Sequence, residues 1–148
     1  MKHSFLSSAT LAAALASTAW MPLDAAAAEV IINVSGIASP DGQIGCSLFK
    51  SPVGFPMDSS AARQIWLPAS RDGVVCTFSD VPDGRYAASV AHDLNGNKKI
   101  DTNFVGIPTE AWGVSGNVRP TLRAPKWDEA VFEVARDKVV ALDIRVAK

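Results

Sequence analysis

Apolar residues alternate with polar ones along most of the chain from Glu29 onward, and turn signals interrupt the alternation at short intervals. Successive side chains of a β-strand point to opposite faces, so in "EVIINVSGI" Val30, Ile32 and Val34 share one face. Further strands are predicted at 43–50, 63–67, 73–79, 84–92, 130–134 and 138–146. Helical spacing is confined to a single turn at 127–130. The pattern predicts an all-β chain that forms one sandwich of two sheets and about seven strands.

Two strand assignments can be made in detail. The turn "DVPDG" joins the strands at 73–79 and 84–92, with Pro82 presetting φ and Gly84 free to take a positive φ. In the last strand, the residues predicted to face the core are Val139, Ala141, Ile144 and Val146.

The chain has two cysteines, and both fall on the apolar faces of predicted strands. Cys46 alternates with Ile44 and Leu48, and Cys76 alternates with Val74 and Phe78. In an oxidising compartment such a pair is expected to form a disulfide, which would stabilise the fold by roughly 3 to 4 kcal/mol. The alternative is two buried thiols.

The N-terminus predicts export. Lys2 precedes an apolar, alanine-rich run, and Ala26 and Ala28 form a small-residue cleavage site. We therefore expect residues 1–28 to be a signal peptide and residues 29–148 to be the mature domain, in the periplasm or secreted. No later stretch approaches the roughly 20 apolar residues of a membrane span.

Charge and residue inventory exclude several functions. The net charge is −1 without a basic stripe, so nucleic acid is not an expected partner. After removal of the signal peptide, one histidine remains, His92, and nothing marks a nucleophile elbow. One histidine and two paired cysteines are too few for a typical zinc site. The sequence therefore favours a protein that is not an enzyme.

A polar segment after the strand at 84–92 resembles part of a calcium loop. In "DLNGNKKID" oxygen-bearing side chains occupy positions 1, 3, 5 and 9, as hard cations require, and the residues are Asp93, Asn95, Asn97 and Asp101. Lys98 stands where the turn favours glycine, and Phe104 stands where a bidentate glutamate belongs. The pattern predicts a loose calcium site over 93–103, and the alternative is a turn held by Asx hydrogen bonds.

The continuation, "NFVGIPTEAWGVSGN", mixes apolar and polar side chains. Long irregular loops are often functional, so ligand contacts are predicted for Asn103, Glu110, Trp112 and Ser115. The alternative is that Phe104, Ile107 and Trp112 cap the core while Glu110 binds backbone amides. Arg119 and Arg123, further along the chain, are expected to be solvated or to bind an anion.

Three stretches together, "VPDGRYAASVAHDLNGN", "KIDTNFVGIPTEAWGVS" and "APKWDEAVFEV", resemble an exported bacterial family, domain of unknown function 2141. The resemblance covers nearly the whole mature chain. It implies a transthyretin-like or immunoglobulin-like sandwich, similar to small β domains attached to carboxypeptidases and surface proteins. It implies no activity.

Function is therefore predicted at the level of class. The leading hypothesis is an exported, non-enzymatic module that binds a small ligand or an envelope protein through the 93–117 loop and that calcium stabilises through residues 93–103. The alternatives are a hydrolase that uses Asp93, Asp101, Glu110 or His92, and a purely structural accessory domain.

Overall fold

The computed structural model describes residues 27–148, which form a sandwich of two β-sheets, as predicted. The predicted signal peptide lies outside the described residues except for its last two, and the side chain of Ala28 is buried in the first strand. The strands are β1 (Ala28–Ser35), β2 (Gln43–Phe49), β3 (Arg63–Pro68), β4 (Val74–Val81), β5 (Gly84–Asp93), β6 (Trp112–Val114), β7 (Phe132–Val134) and β8 (Val139–Arg145). One helical turn, α1 (Trp127–Ala130), and two 3-10 turns, Ser59–Ala61 and Ser115–Asn117, complete the described elements. Within this part of the chain, no helix is long and apolar enough to cross a membrane.

The smaller sheet has the order β4-β1-β8, with β1 antiparallel to β4 and parallel to β8. The larger sheet has the order β3-β2-β5-β6, and the short strand β7 pairs with the start of β5. Strand β3, which ends at Pro68, is an edge strand, where a proline is tolerated. The assignment to an immunoglobulin-like or transthyretin-like type stays a prediction.

The main core lies between the two sheets, and a disulfide crosses it. Cys46 on β2 bonds Cys76 on β4, so the bond joins the larger sheet to the smaller one and confirms the predicted pair. Ile32, Leu48 and Phe78 are among the fully buried apolar side chains of this core. The alternation read from the sequence placed both cysteines on inward faces, which is the condition that an inter-sheet bond requires.

The register of the last strand differs from the prediction. Ile144 and Val146 are buried as expected, but Val139 and Ala141 are exposed. The inward face is continued by Val140 and Leu142, which pack against the core. Because four apolar residues stand consecutively at 139–142, alternation could not decide which pair faces inward. Strand β6, only three residues long, was not predicted.

The turn before β5 follows its sequence. Gly84 takes φ 147°, and the hydroxyl of Tyr86 donates to the carbonyl oxygen of Pro82 at 2.9 Å. A tyrosine near the start of a strand that bonds the backbone just upstream is the arrangement of the tyrosine corner in Greek-key sandwiches. Burial raises the pKa of the Tyr86 hydroxyl, so the hydroxyl stays a donor over a wide pH range.

Side chains protect the edges of the smaller sheet. Arg63 donates to the carbonyl oxygens of Ser79 and Asp80 at the end of β4. On the other edge, the amide side chain of Asn117 donates to Asp143 O and accepts from Arg145 N, so it occupies the place of a strand neighbour. Covered edges hinder pairing with other chains.

A second, smaller core covers part of the outer face of the larger sheet. Ala87, Val114 and Ala130 are buried there, next to Trp127 and Phe55. Ser115, which was predicted to contact a ligand, lies under this core: its hydroxyl accepts from Ala88 N at 3.0 Å and donates to Ala130 O at 2.5 Å. Ser115 therefore ties α1 to β5, and its burial of 99% leaves it no access to a ligand.

Candidate functional site

The first predicted calcium ligand, Asp93, ends β5 and is completely buried. Its two carboxylate oxygens accept from Gly96 N at 2.8 Å and from Lys98 N at 2.7 Å. These bonds hold a tight turn in which Gly96 has φ 77° and Lys98 has φ 59°. The left-handed conformation of Lys98 explains why glycine suits this position. Asp93 thus organises the loop backbone.

The other three predicted ligands do converge. The side-chain amides of Asn95 and Asn97 donate to the two carboxylate oxygens of Asp101 at 2.6 and 2.7 Å. The two asparagines are exposed and Asp101 is half-buried. The three residues offer one carboxylate and two amide groups, whereas calcium takes six to eight oxygens. Asp93 bonds the loop backbone, and residues 27–148 contain no group of three or more His, Cys, Asp or Glu side chains that could hold a metal.

Glu110 is the second buried carboxylate of the loop, with 5% exposure. Its oxygens accept from Leu94 N at 2.9 Å and Asp101 N at 3.1 Å, so one side chain links the two ends of the 94–101 segment. The alternative prediction for Glu110, that it bonds backbone amides, is confirmed.

The tip of the loop is closed by backbone and Asx hydrogen bonds. Asn103 Oδ1 accepts from Val105 N and Ile107 N, and Thr102 bridges Pro108. Asn103 therefore shapes the turn. The tip faces solvent: Phe104 is 99% exposed and Ile107 is also exposed, so the idea that these two residues cap the core is wrong.

Trp112 and the two arginines form intramolecular contacts. Arg119 lies 4.2 Å from the centre of the Trp112 ring and donates to the carbonyl oxygens of Trp112 and Ala147. Burial lowers the pKa of Arg119. Arg123 forms two hydrogen bonds with the carboxylate of Glu129, which also accepts from Lys126 N, and together these lower the pKa of Glu129 to about 2. The expectation that both arginines are simply solvated is therefore wrong.

His92 and the loop carboxylates are not assembled around a common pocket. His92 is buried, and its Nε2 lies 2.8 Å from the carbonyl oxygen of Asp41. The carboxylates of Asp93 and Glu110 are bonded to the loop backbone. Each of these three side chains thus contacts the backbone of the protein.

A different set of residues forms a concave site on the outer face of the larger sheet, which we call the outer-face cleft. Its floor consists of small residues that lie side by side on two strands: Gly45 pairs with Ala91, and Ser47 pairs with Ser89. The serines are 5% and 4% exposed. Both serines line the cleft. No completely buried side-chain oxygen or nitrogen in residues 27–148 lacks a hydrogen-bond partner, so the two hydroxyls, which form no bond with the described chain, are reached by water from the cleft.

Three segments wall this cleft. Trp66 on β3 crosses over Gly45, where a Cβ would collide with the indole ring. Gln64 fixes this wall, because its side chain accepts from Trp66 Nε1 at 3.0 Å and donates to Ser59 O at 2.8 Å. The other walls are the 56–59 segment and residues 98–100 of the long loop.

The outer-face cleft was missed in the sequence, although parts of its signal were present. Gly45, Ser47, Ser89 and Ala91 occupy the outward positions of two strands, where larger polar residues are usual in a sandwich. Two strands with small outward residues indicate a face that something else covers. Only the register reveals that the four residues adjoin.

The chain was compared with known proteins. Residues 32–141 match the family described as an uncharacterised protein conserved in bacteria, DUF2141. Neither the curated proteins nor the solved structures contain a match. Since the match spans more than half of the chain, this protein belongs to the DUF2141 family.

Proposed function

We propose that this protein is an exported, non-enzymatic binding module whose ligand site is the outer-face cleft. The observation that carries the proposal is the pair of adjoining serines, Ser47 and Ser89, which are only 5% and 4% exposed and whose hydroxyls are reached through the cleft. Because these hydroxyls bond no group of the described chain, they are free to bond a ligand that displaces the water at the floor of the cleft.

The construction of the walls supports the same proposal. Gln64 holds Trp66 and the 3-10 turn in fixed positions, and Asp93 holds the turn that carries Lys98. Groups fixed before binding lose little entropy when the ligand arrives. The long loop thus contributes to binding by supplying one wall, while its carboxylates maintain its shape.

Binding can be tested by NMR. We expect small alcohols, amides and carboxylates, added singly to the ¹⁵N-labelled protein, to shift the amide signals of residues 45–47, 64–66, 89–91 and 98–100. The double variant Ser47→Val/Ser89→Val fills the floor with side chains suited to strands, so it should stay folded and lose these shifts. Ser79→Val, on the exposed face of β4, is the matched control.

Shifts that persist in the double variant, or that scatter over the surface, would count against the cleft. A melting temperature within a few degrees of wild type separates lost binding from lost folding.

A second candidate function is docking to an envelope protein through the loop tip. It is favoured by the full exposure of Phe104 on a turn that is closed by Asn103. A rigid apolar projection of this kind suits a partner with an apolar groove, because burying one large side chain contributes about 1.5 to 3 kcal/mol.

Docking can be tested with a photoreactive phenylalanine at position 104 in cells. One discrete adduct is expected, and it should disappear when Ile107→Asp is added. The same probe at Leu122, which is 95% exposed on another loop, is the control. Identical adducts from both positions would rule out a specific contact of the tip.

The calcium site at Asp93, Asn95, Asn97 and Asp101 stays a prediction. A ligand that binds only the native state must stabilise it, so a bound calcium ion would raise the melting temperature in millimolar calcium and chelator would reverse the effect. An unchanged melting temperature in both conditions would remove calcium from the account.

A further inference from the structure

We infer that the outer-face cleft takes the carboxylate end of a small organic acid. This inference rests on the proposed function, because it assigns a chemistry to the same cleft. It is carried by two pairs of neighbouring groups at the site, Lys98 with Lys99 and Ser47 with Ser89.

The two lysines give the cleft a positive rim. Both line it, and both side chains are exposed. Within residues 27–148 the ion pairs are formed by Arg85 with Asp128 and by Arg123 with Glu129, so neither lysine is neutralised by a described carboxylate. Asp58, close to Lys99, is bonded to Ser60 N instead. An anionic group at the rim would therefore meet two lysine side chains, of which Lys99 also lies near the carboxylate of Asp58.

The two serines match the geometry of a carboxylate. They stand directly opposite each other on β2 and β5, so their Cβ atoms are about 4.5 to 5.5 Å apart. Hydroxyls at this separation can each donate to one of two oxygens on the same carbon. Hydrogen bonds to an ionised acceptor are shorter and stronger than those to a neutral one.

The volume of the cleft and its apolar wall limit the size and polarity of the rest of the ligand. The enclosed part of the cleft is about as large as one water molecule, whereas the whole depression with its open mouth has a volume of about 250 Å³. The floor therefore admits no more than the oxygen atoms of a head group, and the rest of the ligand lies in the open mouth. Trp66, Met57 and Ile100 also line the depression, and a short hydrocarbon stem in its open mouth would contact them. A phosphate ion would leave this apolar surface unused.

The test compares propionate with its neutral isostere, propionamide, in NMR titrations at constant ionic strength. We expect propionate to bind about tenfold more tightly, because two partly exposed ion pairs together contribute about that factor. In the variant Lys98→Gln/Lys99→Gln, the ratio of the affinities for propionate and propionamide should fall close to one. It keeps the loop intact because the hydrogen bonds that Lys98 and Lys99 form within the loop are donated by their backbone amides. Lys138→Gln, on an exposed turn, is the control and should keep the full ratio.

The outcomes separate this inference from the proposed function. If propionamide and propionate bind the cleft equally, or if the ratio survives in the double variant, the carboxylate inference fails and the binding module stands. If neither compound nor any other small molecule shifts the cleft residues, both fail. Shifts at every exposed lysine with propionate would indicate a general ion effect and would also overturn the inference.

Discussion

Removal of the Glu110 carboxylate should destabilise the long loop and lower the free energy of unfolding. In Glu110→Ala the amides of Leu94 and Asp101 lose their acceptor, and both bonds are partly shielded from water. A hydrogen bond to a charged group contributes about 1.5 to 3 kcal/mol, and partial access to water reduces the loss, so we expect a total cost of about 2 to 3 kcal/mol. For a domain of this size, that lowers the melting temperature by roughly 8 to 12 °C.

Two variants complete this experiment. Glu110→Gln should lower the free energy of unfolding nearly as much, because the glutamine NH₂ group would face the N–H donor of either Leu94 or Asp101. Glu133→Ala, on the exposed side of β7, removes a glutamate without such bonds and should change the free energy of unfolding by no more than about 0.5 kcal/mol. The assays are urea unfolding and hydrogen exchange. A loss below 0.5 kcal/mol in Glu110→Ala, with unchanged exchange at residues 94 and 101, would refute the role of Glu110 as the link of the loop.

Three further predictions concern the sandwich itself. Tyr86→Phe loses the hydrogen bond to Pro82 O, so the free energy of unfolding should fall by about 1 kcal/mol in urea titrations. An unchanged free energy would show that this tyrosine-corner bond does not stabilise the fold. Cys46→Ala/Cys76→Ala opens a crosslink with a sequence separation of 30, so stability should fall by about 3 to 4 kcal/mol, and a loss below 1 kcal/mol would show that the bond contributes little. The pKa of Glu129 is lowered from 4.5 to about 2, so the stability that its charged carboxylate gives to the folded state is fully present above pH 4.5. This stability is lost as the pH falls toward 2. Glu129→Gln should therefore flatten the acid limb of the melting temperature over that window, while Glu133→Gln should leave it unchanged.

Features that are determined within a single strand or turn were predictable from the sequence. Alternation along β2 and β4 placed Cys46 and Cys76 inward, and the disulfide follows from those two assignments. Pro82 and Gly84 marked the turn before β5 for the same reason, since their backbone preferences are local.

The features that depend on neighbouring strands were not predictable. In β8 the run of four apolar residues hid the inward pair, which is selected by pairing with β1. Phe104 is large and apolar, which is typical of a core residue. The hydrogen bonds of Asn103 nevertheless shape a turn that leaves Phe104 exposed to solvent. The cleft floor exists only because the register sets Gly45 beside Ala91 and Ser47 beside Ser89.

The most direct test of the account is a crystal structure of the protein soaked in propionate. The account predicts carboxylate oxygens at about 2.7 to 3.0 Å from the hydroxyls of Ser47 and Ser89, with the ethyl group against Trp66. A structure with only water against the two serines, or with propionate bound elsewhere, would contradict the assignment of the outer-face cleft as the binding site.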